Sequence, residues 1–284
     1  MQTEQFDFNK ERGLGEKIEF TFSFWKENFK VILISVLTLV TPFVIIGGSM
    51  TTYASTDFLQ NSVVDPSIVA NNPFAMFANP LFITGYILSI IGYIMLTSVG
   101  TGIIKVYFDK EELTVDNVRK TAMSYIGKVF GLSITSLLLV FIGSMVFLIP
   151  GIYLAIGFSV AIPIAVFEDV SISEALSRSR KLISGNWWST FGYLIVLSFI
   201  ASILGSIIGF VGGLFIGGNV ESIIASGGEI TESYSVMLLV INFLSGLVTP
   251  VFYVIIYLGI VVQYFSLKEQ KEATSILNDV EAMS

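Results

Sequence analysis

Residues 129–167 read VFGLSITSLLLVFIGSMVFLIPGIYLAIGFSVAIPIAVF, and no charged side chain interrupts the run. A helix crossing the hydrocarbon core of a bilayer, roughly 30 Å, takes about 20 apolar residues, so this run is long enough for two. Pro150 and Gly151 fall near its middle, where a helix breaks and turns. The run therefore reads as two membrane helices joined by a tight hairpin. In hydrocarbon every backbone polar group must be paired within its own segment, which continuous apolar stretches achieve as helices rather than as barrel strands.

Outward from this pair, charge-free segments recur at 31–49, 81–104, 187–217 and 235–266. Each supplies one further span, giving an all-α polytopic membrane protein with six transmembrane helices. The composition agrees: 54% of the 284 residues are hydrophobic and 13% charged, where soluble chains carry roughly 25% charged residues. Mean hydropathy is +0.80. Residues 1–30 mix acids and bases ahead of the first apolar run at Val31, so no cleavable signal is expected there. The organisation expected is one integral membrane domain over 1–284: an amphipathic N-terminus at 1–30, a six-helix bundle at 31–266 and a tail at 267–284.

The basic residues orient these spans. Lys10, Arg12, Lys17, Lys26 and Lys30 precede the first; Lys105, Lys110, Arg119, Lys120 and Lys128 lie between the second and third. Arg178, Arg180 and Lys181 lie between the fourth and fifth, and Lys268 and Lys271 follow the sixth; together these are all 15 basic residues. The segments 50–80, 149–152 and 218–234 have none and carry only the acids Asp57, Asp65, Glu221, Glu229 and Glu232. With six spans the two sets fall on opposite sides. The positive-inside rule then predicts both termini in the cytoplasm of a bacterium, with the spans in its inner membrane.

Amphipathic stretches precede the outward-going spans. Leu14, Ile18, Phe22, Trp25 and Phe29 recur at helical spacing before the first; Val115, Val118, Ala122, Tyr125 and Ile126 do so before the third. Ile172, Ala175, Leu176, Leu182 and Ile183 repeat the pattern before the fifth, where Ser171 and Glu174 form the signature of a capping box. Three units of amphipathic helix, span out, turn and span back would tile the chain as a threefold pseudo-repeat. In the third unit Arg178, Arg180 and Lys181 are expected to face anionic lipid while the apolar face enters the headgroup region, and Trp187 and Trp188, like Trp25 in the first, mark the membrane interface. Packing of these helices on one another as a cap is the alternative.

Side chains suited to chemistry are scarce. There is no His and no Cys, which removes the usual neutral-pH base, the commonest metal ligand and all thiolate chemistry. The spans contain no Asp, Glu, Lys or Arg either, so proton-coupled and voltage-driven mechanisms are not expected. Asn242 and Gln263 are the amides within the spans, and bonding to neighbouring helices is their expected role. Glu168 and Asp169 stand together after the fourth span, where pairing with Arg178 or capping of the next helix outweighs a metal site. Gly205, Gly209, Gly213 and Gly217 fall every fourth residue in the fifth span, a helix-packing signature. Pro42, Pro150, Pro163 and Pro250 are expected kinks. The fifth and sixth spans, at about thirty residues, exceed the bilayer core and should tilt, break or protrude. A formal charge of −7 gives no reason to expect nucleic acid as a partner, and no metal or cofactor is expected.

The series Ile149-Pro150-Gly151-Ile152-Tyr153-Leu154, Pro163, Glu168, Glu174-Ala175-Leu176-Ser177-Arg178-Ser179 and Gly185-Asn186-Trp187-Trp188 resembles the membrane domain of glycerophosphoryl diester phosphodiesterases and the YciC-like bacterial membrane proteins. The resemblance implies a six-helix bundle with amphipathic cytoplasmic elements. It does not imply phosphodiesterase activity, which in that family resides in a separate soluble barrel without a counterpart in these residues. Phe8-Asn9-Lys10-Glu11-Arg12-Gly13-Leu14-Gly15-Glu16 and Phe24-Trp25-Lys26-Glu27-Asn28-Phe29 look like uncharacterised polytopic membrane proteins of Bacteroidota, some of which carry a carotene-oxygenase name. Iron-type carotene oxygenases hold their metal through four histidines, and this chain has none. The expectation is a non-catalytic membrane protein in contact with membrane lipids, acting as an accessory subunit beside other membrane proteins or copies of itself. A transporter or channel for a lipid-like or apolar solute is the alternative.

Overall fold

A computed structural model describes residues 6–217 and 232–283. Among them there are helices and no strand: α1 (Leu14–Glu27), α2 (Phe29–Leu39), α3 (Thr41–Val64), α4 (Ser67–Asn71), a 3-10 turn at Ala75–Ala78, α5 (Pro80–Phe108), α6 (Val115–Val146), α7 (Leu148–Gly157), α8 (Ala161–Phe167), α9 (Ile172–Ile183), α10 (Trp187–Gly205), α11 (Ile207–Gly217) and α12 (Glu232–Met283). Five helical stretches are long and apolar enough to cross a bilayer, or six where the bent pair α2–α3 counts as one span. The chain is an all-α polytopic membrane protein.

The breaks have local causes. Asn28 ends α1 by returning its side-chain amide to the Phe24 carbonyl at 2.9 Å. The chain then bends by 48° between α2 and α3. Pro42 occupies the first turn of α3 there, where its missing N–H costs no helical hydrogen bond. Pro150 and Pro163 likewise sit in the opening turns of α7 and α8. The hairpin itself turns at Phe147, whose backbone is extended, three residues ahead of Pro150. Pro250 alone of the four lies inside a long helix, α12.

Three stretches differ from the sequence reading. The segment 50–80, expected as an external loop, continues α3 to Val64 and then forms α4 and the 3-10 turn. The amphipathic stretch 115–126 is the first third of α6 rather than a separate helix; Gly127 is the one weak helix former between it and the span, too little to stop a helix already capped by Thr114. The expected tail from 267 onward prolongs α12, because no Gly or Pro follows Leu267 to end it. Of the segment 218–234, residues 218–231 with Glu221 and Glu229 lie outside the described residues.

The chain divides into two compact units. The first comprises residues 1–35, 97–201 and 254–284. In it α7 folds back on α6, with α8 and α9 packed on the same helix. The α6–α7 turn is close: a Cβ on Gly143 would lie 2.9 Å from Leu154 and one on Gly151 would overlap Ser144. Leu137, Leu138, Phe141, Ile142 and Met145 of α6 remain exposed, as a lipid-facing surface requires.

The second unit comprises residues 36–96 and 202–253. Small residues let its backbones touch. A Cβ on Gly47 of α3 would stand 2.6 Å from the Gly85 carbonyl of α5, and one on Gly85 would stand 2.7 Å from the Gly47 carbonyl. Without a hydrophobic force between helices in lipid, such approach supplies dispersion contact that larger side chains would prevent. Gly48 packs against Asn242, and Gly205 against Tyr253, of α12. Here the fifth span breaks: Ser206 separates α10 from α11, and Thr249 donates to the Gly205 carbonyl at 3.0 Å, binding the frayed end of α10.

Candidate functional site

The chemistry-bearing side chains of the first unit gather on α1, α9, α10 and α12. On α1 the buried side chains are Lys17, Thr21 and Phe24, spaced by four and three residues. Lys17, only 5% exposed, donates from Nζ to Gln263 Oε1 of α12 at 2.8 Å. Gln263 in turn donates from Nε2 to Thr190 Oγ1 of α10 at 2.9 Å. The ammonium also lies 5.3 Å from the Tyr193 ring centroid, a distance at which a ring quadrupole attracts a cation. Thr21 Oγ1 donates to the Lys17 carbonyl and lies 3.3 Å from the Tyr193 hydroxyl, which donates to the Gly259 carbonyl at 3.1 Å. One connected polar network thus joins three helices. Burial holds the Lys17 ammonium below its ordinary pKa, because the charged form loses water.

With Lys17 inward, the apolar stripe lies beside the buried side of α1 rather than at its centre. Leu14 is 44% and Phe29 38% exposed, while Ile18, Phe22 and Trp25 are half-buried. The apolar stripe expected for α1 thus lies between the buried side and the fully exposed side of Gly15, Glu16, Glu19, Ser23, Lys26 and Glu27, and stays partly open. On α9 the arrangement is reversed, and the expectation is corrected: Ala175, Leu176, Ser179, Leu182 and Ile183 are buried within the unit. Ser179 Oγ donates to the Gly157 carbonyl of α7 at 2.7 Å. The apolar face of α9 is sealed against protein, as in the cap alternative, and cannot enter a headgroup region.

Arg178, Arg180 and Lys181 extend from the exposed side of α9. Arg178 Nε pairs with Glu168 Oε2 at 2.5 Å, and Glu168 Oε1 accepts from the Tyr264 hydroxyl of α12 at 2.9 Å. Arg180 stands over the Phe158 ring at 5.9 Å. Asp169, in a left-handed backbone conformation (φ 53°), pairs with Lys128 of α6. That contact holds its carboxyl below the usual range, through the hydrogen bond first and the charge second. The two adjacent carboxylates are thus directed to different cations, and among the described residues no cluster of three or more metal-ligating side chains forms. Ser171 caps α9 by accepting from the Glu174 N–H at 3.3 Å.

The aromatic markers separate by exposure. Trp188 is 77% exposed, whereas Trp187 stacks on Tyr153 of α7 and donates to its carbonyl at 3.2 Å. Trp25 of α1 meets Phe29 edge-on at 4.9 Å. Of the glycine stripe, Gly205 makes the α12 contact described above. Gly209 and Gly213 have nothing within 4 Å of a Cβ position among the described residues, and Gly217 closes α11. The α11 contact with Ile241 of α12 falls instead on Gly212. Gly205 and Gly212 are seven residues apart and so share a helix face, whereas the every-fourth-residue spacing drifts away from it.

Of the amides, Gln263 bonds two neighbouring helices as expected; Asn242 is half-buried against Gly48, its Oδ1 buried with no partner among the described residues. The sequence reading missed Lys17, which looked like one more solvated charge. The spacing Lys17, Thr21, Phe24 was a visible second stripe, and Gln263 in an apolar span was a visible candidate partner.

Residues 133–283, just over half the chain, match the family described as the membrane domain of glycerophosphoryl diester phosphodiesterase. The matched region includes the α7 hairpin, α9 with its ion pair, and α12. The chain belongs to this family. No curated protein and no solved structure matches it.

Proposed function

We propose that this is a non-catalytic integral protein of the bacterial cytoplasmic membrane, with both termini in the cytoplasm, that engages membrane lipids as an accessory subunit of a larger membrane complex. The observation that carries the lipid part is α1. Its apolar positions Leu14, Ile18, Phe22 and Trp25 stay exposed or half-exposed while Lys17 is buried. A water-soluble helix makes the opposite choice, since burying a cation costs free energy and burying a leucine gains it. The arrangement is favourable when the medium outside the stripe is acyl chain. Helices of this kind lie in the interface plane with their apolar face in the headgroup boundary.

Because the chain has no cysteine, single nitroxide labels can be placed on Leu14→Cys, Ile18→Cys and Phe22→Cys in the protein reconstituted in bilayers. Relaxation by oxygen is expected to exceed relaxation by a water-soluble nickel complex at these positions, and to fall below it at Glu16→Cys and Ser23→Cys. Dominant nickel access at all five would remove the lipid-contact reading.

A further inference from the structure

On the outer side of α9 the structure assembles something the linear order of residues does not show. Arg178 and Lys181, three apart on α9, and Lys268 and Lys271, three apart on α12, line one groove of about 250 Å³ together with Leu182 and Glu272. Their partners leave it electropositive. Glu168 takes the Nε–H of Arg178, and Lys268 Nζ stands 3.9 Å from Glu272, beyond hydrogen-bond reach. Lys271 spends one donor on the Ser184 carbonyl at 3.0 Å, and an ammonium has three. Lys181 forms no ion pair or hydrogen bond among the described residues, so four cations face two carboxylates.

The groove is also held in shape. Gly185 takes a left-handed conformation (φ 85°) in the α9–α10 turn, and Asn186 Nδ2 donates to Gln270 Oε1 of α12 at 2.8 Å. That bond and the Lys271 bond to Ser184 tie the turn at the end of α9 to α12. Its depth is set by sequence: Lys268 follows directly on the apolar run of α12 that ends at Leu267, and α10 begins at Trp187 and the exposed Trp188. Charged residues at the ends of apolar runs, beside interfacial tryptophan, lie at headgroup level.

We propose that the groove between α9 and α12 is a binding site for the phosphate of an anionic phospholipid of the surrounding bilayer. The cations hold the headgroup. The proposal deepens the lipid-engaging reading above and rests on it, but it depends on different residues from the α1 stripe. A lysine cluster reads charge rather than one headgroup's shape, so phosphatidylglycerol and other anionic lipids are expected to bind and phosphatidylcholine is not.

The test is native mass spectrometry of the full chain released from mixed micelles of phosphatidylglycerol and phosphatidylcholine, with helix content and melting temperature recorded for every variant. The wild type is expected to retain phosphatidylglycerol selectively. Lys181→Gln and Lys271→Gln are each expected to weaken retention about fivefold, the equivalent of about 1 kcal/mol per basic residue. Lys181→Arg with Lys271→Arg should restore it, and Lys120→Gln should leave it unchanged. Equal retention of both lipids, or loss with Lys120→Gln as large as with Lys181→Gln, overturns the proposal. Displacement of the lipid by millimolar inorganic phosphate would assign the groove to a free anion and overturn the lipid source. Failure here with oxygen-dominated labels on α1 would remove the groove alone and leave the lipid-contact reading standing.

Discussion

Lys17 and Gln263 form the most consequential side-chain contact in the first unit, because each buries a polar group that the other satisfies. Removing one partner alone leaves the other unpaired, which costs about 1–3 kcal/mol; removing both for apolar groups of similar shape costs far less. Gln263→Leu is therefore expected to lower the denaturation midpoint in detergent, and adding Lys17→Met to recover most of the loss. The pH dependence follows from the direction of the Lys17 shift. The folded state holds the ammonium below its ordinary value of 10.5, so in the window between the folded and unfolded pKa the unfolded chain binds more protons. Stability then rises with pH through that window, and the penalty is fully present below it. Lys17→Met should flatten the rise on the alkaline side. Parallel melting-temperature profiles for wild type and variant would show that the ammonium remains solvated.

For the elements, the relevant energy is the one that lets helices approach. Gly47 and Gly85 put the backbones of α3 and α5 in direct contact, and a methyl group at 47 would meet backbone atoms at 2.6 and 2.7 Å. Backbone cannot rotate away as a side chain can, so Gly47→Ala should cost about 1–3 kcal/mol by overpacking. Gly209 has open space around the same position among the described residues. Gly209→Ala is expected to be neutral or to stabilise by about 0.5–1 kcal/mol, the helix-propensity gain over glycine. Thermal unfolding of the two variants separates them. A loss at Gly209→Ala equal to that at Gly47→Ala would mean that the open face of α11 meets a neighbour. The same scale explains why α1 and α9 diverge from one expectation. Both are amphipathic, but α1 carries a second stripe that forms polar bonds to α10 and α12, while α9 has only its apolar side to pack.

At the scale of the whole molecule, the distribution of charge over the chain carries the orientation. All 15 basic residues fall in segments that an even number of spans places on one side. Single cysteines in the cysteine-free chain convert this into a measurement in intact cells. Lys110→Cys and Lys181→Cys are expected to escape a membrane-impermeant maleimide until the membrane is opened. Gln60→Cys and Asn72→Cys are expected to react from outside. Labelling of all four before lysis, or the reverse pattern, would overturn the proposed orientation. Neither result depends on the α1 or groove proposals.

Much of this protein is decided locally. Long charge-free runs must become membrane helices because hydrocarbon offers a backbone no other partner, so the spans and the hairpin near Pro150 were legible in the sequence, while the excess length of the fifth span left tilt, break and protrusion open. Ser171 at the start of α9 was legible for the same reason, since it acts through its own backbone; of the four expected proline kinks, Pro42, Pro150 and Pro163 instead open helices and only Pro250 lies inside one. Which side of an amphipathic helix is covered is not local. It depends on whether another element offers a better partner: Gln263 and Tyr193, 246 and 172 residues from the groups they meet on α1, draw Lys17 and Thr21 inward and leave the apolar stripe only partly covered. Which glycines touch was equally undecided: the contacts with α12 fall on Gly205 and Gly212, which share a helix face, and not on Gly209. The convergence of Arg178 and Lys181 with Lys268 and Lys271 has the same origin. Spacing along one helix places two cations on a face, and only the packing of α12 beside α9 makes four of them a groove.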